Sequence, residues 1–127
     1  MFWGLKSEEK NEAIVIGREV EALGKKILRI IDYIGNHDIF AETGQFWNQI
    51  MKENNYEYVD FFEYGIQDEV LENAGFILRE ENDVNVIPNY FEPFVQSNVD
   101  IWFHCKFEGT TFFKGDCDQD RPNIYRG

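Results

Sequence analysis

The sequence predicts an α+β fold, with about three N-terminal helices packed on a small antiparallel sheet of about four strands. Three observations carry that expectation. Apolar residues in the first third recur at three- and four-residue steps, whereas those after residue 76 alternate with polar ones. The 127 residues hold no internal repeat, no Ser/Pro/Gly-rich linker and no low-complexity tract, so one domain over 1–127 is expected. A chain that is 43% hydrophobic and 17% aromatic can bury a sizeable core.

The first expected helix covers 8–34. Ile16, Val20, Leu23, Ile27, Ile30, Ile31 and Ile34 form its apolar stripe, Ser7 its N-cap, and Gly35-Asn36 its stop. Gly17 and Gly24 lie seven apart, a spacing that lets another element approach closely. A second helix is expected over 44–54, capped by Thr43, with Phe46, Trp47, Ile50 and Met51 facing inward. A third is expected over about 61–74, where Asp60 and Glu63 resemble a capping box and Gly75 follows the last turn. The alternation then predicts a hairpin of 76–79 and 84–87 joined by "EEND". A half-buried strand over 99–107 follows, with Asp100, Trp102, His104 and Lys106 on its polar side, and a return strand over 110–114.

Charge narrows the partners. Twenty-four acids against twelve bases give a formal net charge of −12. Residues 1–35 hold six of each and are neutral, whereas residues 53–83 hold ten acids against Arg79 alone, a net −9. A nucleic-acid binder carries the opposite sign, and an anionic membrane surface repels such a chain. A basic protein partner, a cation or solubility alone remains. Two cysteines make no disulfide scaffold, no apolar leader opens the chain, and no run spans a bilayer. A reduced, cytoplasmic compartment is the expectation.

Several constellations invite a chemical reading. Asp116, Asp118 and Asp120 match the first, third and fifth positions of a calcium loop, but Arg121 stands where the sharp turn needs glycine. Gly127 stands where a bidentate glutamate belongs. His104 and Cys105 are strand neighbours pointing to opposite faces, and Cys117 would lie roughly 15 Å from Cys105, so no shared zinc is expected. Cys105 reads as a small buried hydrophobe. Neither cysteine sits in a nucleophile elbow, "NHD" at 36–38 reads as a turn, and no glycine-rich phosphate loop is present. No cofactor is implied. A metal-dependent hydrolase built on Asp116, Asp118, Asp120 and His104 is the enzymatic alternative.

The remaining feature is the stretch "NNYEYVDFFEYG", where Tyr56, Tyr58, Phe61, Phe62 and Tyr64 sit among the acids of the middle block. Five aromatics in nine residues cannot share one face, and tyrosines left among carboxylates make amphipathic anchors for a protein partner. In size, acidity and aromatic content the chain resembles the immunity proteins of bacterial toxin systems, including contact-dependent inhibition and other polymorphic toxins. That resemblance implies a cognate toxin domain as partner, often a basic nuclease, neutralised without catalysis. Phage-encoded inhibitors that mimic nucleic acid share the profile. The residues expected to carry binding are Tyr56, Glu57, Tyr58, Asp60, Glu63, Tyr64, Asp68, Glu69, Glu72, Glu80, Glu81 and Asp83. Asp116, Asp118 and Asp120 form a second edge.

Overall fold

A computed structural model describes residues 1–8, 10–89, 94–98, 100, 102, 104, 106 and 109–117. In chain order the elements are β1 (Phe2–Ser7), β2 (Lys10–Ala22), β3 (Lys25–Gly35), a 3-10 turn (Asp38–Glu42), α1 (Gly44–Asn54), β4 (Val59–Phe61), β5 (Glu63–Tyr64), α2 (Asp68–Asn73), β6 (Phe112–Phe113) and a 3-10 turn at Lys114–Cys117. The fold is α+β. Its sheet comes first, in the order β1-β2-β3-β4, and β5 pairs with β6 in a two-stranded annex. The sheet is mixed, not purely antiparallel: β1, β2 and β3 form an antiparallel meander, and β4 joins β3 in parallel. No helix among the described residues is long and apolar enough to cross a membrane.

The main correction concerns the helix expected over 8–34: Lys10–Ala22 and Lys25–Gly35 form a long hairpin instead. Ala22 pairs with Lys25, leaving Leu23 and Gly24 as a two-residue loop with φ of 52° and 73°. Positive φ at both central positions is the turn whose twist matches paired strands. The same sequence satisfies two periodicities. The three- and four-step stripe is real, but Ile14, Val15, Ile16, Val20, Ile27, Ile30, Ile31 and Ile34 are β-branched and so stiff at χ1 that they favour a pleated surface. A glycine at position 24 weakens a helix interior but fits this turn without strain. In the hairpin the supposed stripe splits, with Ile27 and Ile30 buried while Leu23 is 82% exposed.

One face of the meander carries the core. Trp3 and Leu5 of β1, Ala13 and Val15 of β2, and Leu28, Ile30 and Tyr33 of β3 pack against Ile39, Phe40, Trp47 and Ile50 from the turn and α1. Gly17 does permit a close approach, on a strand: a Cβ there would come 2.7 Å from the Trp3 ring. Phe40 and Trp47 lie 5.9 Å apart by ring centroid, and Trp3, Phe46, Phe61 and Phe76 extend the aromatic cluster around them. Such pairs add about 0.5–1.5 kcal/mol each beyond their buried area.

Helix α1 matches its expected span and inward face, but Thr43 does not cap it. The Thr43 hydroxyl donates to the Phe40 carbonyl at 2.6 Å and accepts from Trp47 Nε1 at 2.7 Å, so it satisfies the indole inside the core. The third helix shortens to α2. Its first expected turns are consumed by β4 and β5, because Asp60 is drawn into a buried ion pair described below. Its end is as expected: Phe76 N–H bonds the Leu71 carbonyl and Gly75 N–H that of Glu72, a Schellman closure. Residues 76–79 and 84–87 form no strand; Ile77, Leu78, Val84 and Val86 are exposed there. Propensity alone does not pair two segments that bury no common face. Of the strand expected over 99–107, only Asp100, Trp102, His104 and Lys106 are described, all exposed, and Cys105 lies outside the described residues.

The hairpin assignment has a direct check. Leu23→Asn places a residue that tolerates positive φ at the exposed turn, and should stabilise the protein by about 0.5–1 kcal/mol. Urea unfolding measures it. A loss of stability would contradict the turn.

Candidate partner-binding groove

The chain reverses after α1 at Asn55, in left-handed conformation at φ 57°. It then runs along β3 so that Leu28, Arg29 and Ile30 face Val59, Asp60 and Phe61 in register. Arg29 and Asp60 are therefore direct neighbours across the pair. The guanidinium grips the carboxylate twice, Nε to Oδ1 at 2.9 Å and Nη2 to Oδ2 at 2.7 Å. Nη1 also donates to the Asn89 carbonyl at 2.6 Å, and Nη2 to the Pro88 carbonyl at 2.5 Å. Phe62 stacks 5.0 Å from the guanidinium carbon, and buried Lys114 donates to the Asn89 side chain. This clamp ties β3, β4, residues 88–89 and the segment at Lys114 into one polar layer behind the sheet.

In front of that layer opens a groove of about 1390 Å3, lined from α1, residues 57–64, α2, residues 73–79 and 83–87, and Phe112 to Lys114. Its walls carry Glu57, Glu63, Asp68, Glu72, Asp83 and Asp100 beside Tyr58, Phe61, Tyr64, Leu71, Phe76 and Trp102. Among the described residues, two bases line it. Arg79 bonds Asp100 at 2.9 Å, and Lys114 is buried. The accessible charge is negative.

Of the fifteen expected binding residues, seven stand on these walls: Glu57, Tyr58, Glu63, Tyr64, Asp68, Glu72 and Asp83. Glu57, Asp68 and Glu72 are exposed on the walls, and Tyr64 is 58% exposed. Tyr58 is half-buried, and burial, reinforced by the nearby Asp60 charge, pushes its hydroxyl up to about 12. Asp83 is held below the usual carboxylate range, chiefly by the Asn85 backbone N–H. Glu69, Glu80 and Glu81 are exposed but lie off the walls.

Two residues are corrected. Asp60 is only 4% exposed and belongs to the clamp, so it cannot serve as surface charge. Tyr56 is buried with its hydroxyl donating to Glu19 at 2.9 Å, because the turn after α1 folds it against the sheet. Burial first, then that carboxylate, pushes the Tyr56 hydroxyl up to about 12. Asp116 is exposed, off the walls, and its Oδ2 accepts the Phe113 N–H at 2.8 Å. Asp118 and Asp120 lie outside the described residues.

Sequence reasoning missed Asp100 and Trp102 on the groove. The signal existed: an alternating pattern that assigns a tryptophan to the polar side marks it as exposed for a reason other than the core. Trp102 is 87% exposed. Among the described residues, no three His, Cys, Asp or Glu side chains gather to hold a metal ion. The class these features define is an α+β protein with an acidic, aromatic-walled groove. No family model, curated protein or solved structure matches the chain.

Asp60→Ala leaves the Arg29 guanidinium buried without its carboxylate and should cost about 3–5 kcal/mol in urea unfolding. Asp68→Ala, on the exposed wall, should stay within about 0.5 kcal/mol. Glu63 supplies a pH test. Burial raises its carboxyl above the usual range and the Asp68 charge adds to this, while the Ile66 N–H opposes them. A folded value above the unfolded one gives stability that is complete below the unfolded value and lost as pH rises through the folded one. The ionised carboxylate therefore opposes folding at neutral pH. Glu63→Gln keeps an acceptor for Ile66 and should raise the Tm at pH 7, with the difference vanishing in acid.

Proposed function

We propose that this protein is a non-enzymatic inhibitor that binds and neutralises a basic protein, of the kind formed by a nuclease-type toxin domain. The observation that carries the reading is the groove itself, where acids from four segments share one concave face with aromatic side chains. A nuclease cleft holds phosphates with Lys and Arg, so an acidic groove attracts it at long range and speeds encounter. Tyr58, Tyr64 and Trp102 then supply the short-range burial that slows dissociation. No cofactor takes part, and the inhibitor acts in the cytoplasm, where an incoming toxin meets its target. This is the behaviour of the toxin-immunity proteins that the composition resembles.

The test is a triple reversal, Glu57→Lys, Asp68→Lys and Glu72→Lys, with Asp60 left intact to preserve the fold. The partner assayed is the C-terminal domain of the large secreted protein encoded immediately upstream, where a cognate toxin gene is expected. Association should slow by about ten- to a hundredfold and growth protection should fail, with the Tm unchanged. Wild-type association should also slow steeply with added salt. An unaltered affinity in the triple variant, or no toxin gene beside this one, overturns the assignment.

A further inference from the structure

Strand β1 is the edge of the four-stranded sheet, and no described strand covers it. Met1 and Gly17 exchange both main-chain hydrogen bonds at 3.0 Å, which fixes the alternation along the pair. The N–H and C=O groups of Phe2 and Gly4 therefore point away from β2, and continuing the alternation along β1 gives Lys6 the same direction. The irregularity in the β1–β2 ladder adds Glu12 to β2, so β1 itself runs unbulged. On the face opposite the core, Phe2 is 74% exposed, Lys6 is exposed, and nothing lies within 4 Å of where a Gly4 side chain would begin.

We propose that β1 pairs antiparallel with β1 of a second copy of this chain, centred on Gly4, to give a continuous eight-stranded sheet. The register follows from the free groups. Gly4 faces Gly4 and exchanges both main-chain bonds with it, and Phe2 faces Lys6 across the two-fold axis. Each exposed aromatic ring thus meets a cation, while Trp3 meets Leu5 on the core face.

Charge selects a second copy as the occupant. A protein at −12 repels itself, but residues 1–35 carry six acids and six bases. The acidic groove gathers around β4, three strand spacings away, roughly 14 Å. That exceeds the screening length of about 8 Å at physiological salt. Pairing through β1 keeps the two grooves at opposite ends of the sheet, and any approach from the β4 side brings acid against acid. The basic partner proposed for the groove finds no net negative charge at this edge.

Sedimentation equilibrium of the full chain, made without an N-terminal extension, tests the pairing. The mass should approach twice 15.1 kDa as concentration rises. Phe2→Lys sets cation against cation at both ends of the pair and should raise the dimer dissociation constant at least about tenfold. Phe2→Glu restores an attractive pair with Lys6 and should leave it within about threefold. Gly4→Pro removes only an outward-facing N–H and should give a monomer with an unchanged circular dichroism spectrum. A wild-type monomer at every concentration overturns the proposal. So does a dimer that Phe2→Lys and Gly4→Pro leave intact, since that dimer would use another surface.

Discussion

The arrangement behind the groove depends on one buried ion pair. Between β3 and β4 only three residues pair, too few to fix a parallel register by themselves, and Arg29 facing Asp60 fixes it chemically. A shift by one residue would leave the guanidinium beside Val59 or Phe61, with its charge buried and uncompensated. Burying both ions is costly, and the pair is tolerated because the other guanidinium donors also find oxygens, at Pro88 and Asn89. The gain lies in specificity: only one alignment of β4, and one position of residues 88–89, brings these four bonds together.

That alignment explains how the acidic block becomes a surface. Asp60 is buried at the base of the groove, its neighbours Glu57 and Glu63 line the walls, and α2 brings Asp68 and Glu72 to the same rim. The arginine behind the sheet thus governs the geometry of carboxylates it never touches. Like charges gathered in this way repel one another and weaken the folded state. Aromatic packing of Phe40, Trp47, Phe61 and Phe76 in the adjoining core offsets that repulsion.

The sequence made some of this legible. Helix α1 and its inward face were readable because Phe46, Trp47, Ile50 and Met51 fit a helical spacing and no competing one. The acidic block was readable because charge counting needs no geometry. The long hairpin was not, since residues 14–34 satisfy both helical and alternating spacings, and the deciding feature is a two-residue turn with a leucine in it. Asp60 looked like surface charge because its partner stands thirty-one residues earlier in the chain. Nothing in local spacing distinguishes a carboxylate that meets an arginine from one that meets water.

The order of the strands also has a kinetic side. β1, β2 and β3 are consecutive and joined by short loops, so their contacts close with little loss of chain entropy. The bonds from Arg29 to Asp60, Pro88 and Asn89 span 31, 59 and 60 residues and can form only after much longer closures. The meander is thus the part that assembles early, and the groove is laid onto it afterwards. On unfolding, the sequence reverses: releasing one guanidinium frees the back of the groove while the three-stranded meander persists, so the groove can open without the rest of the molecule melting.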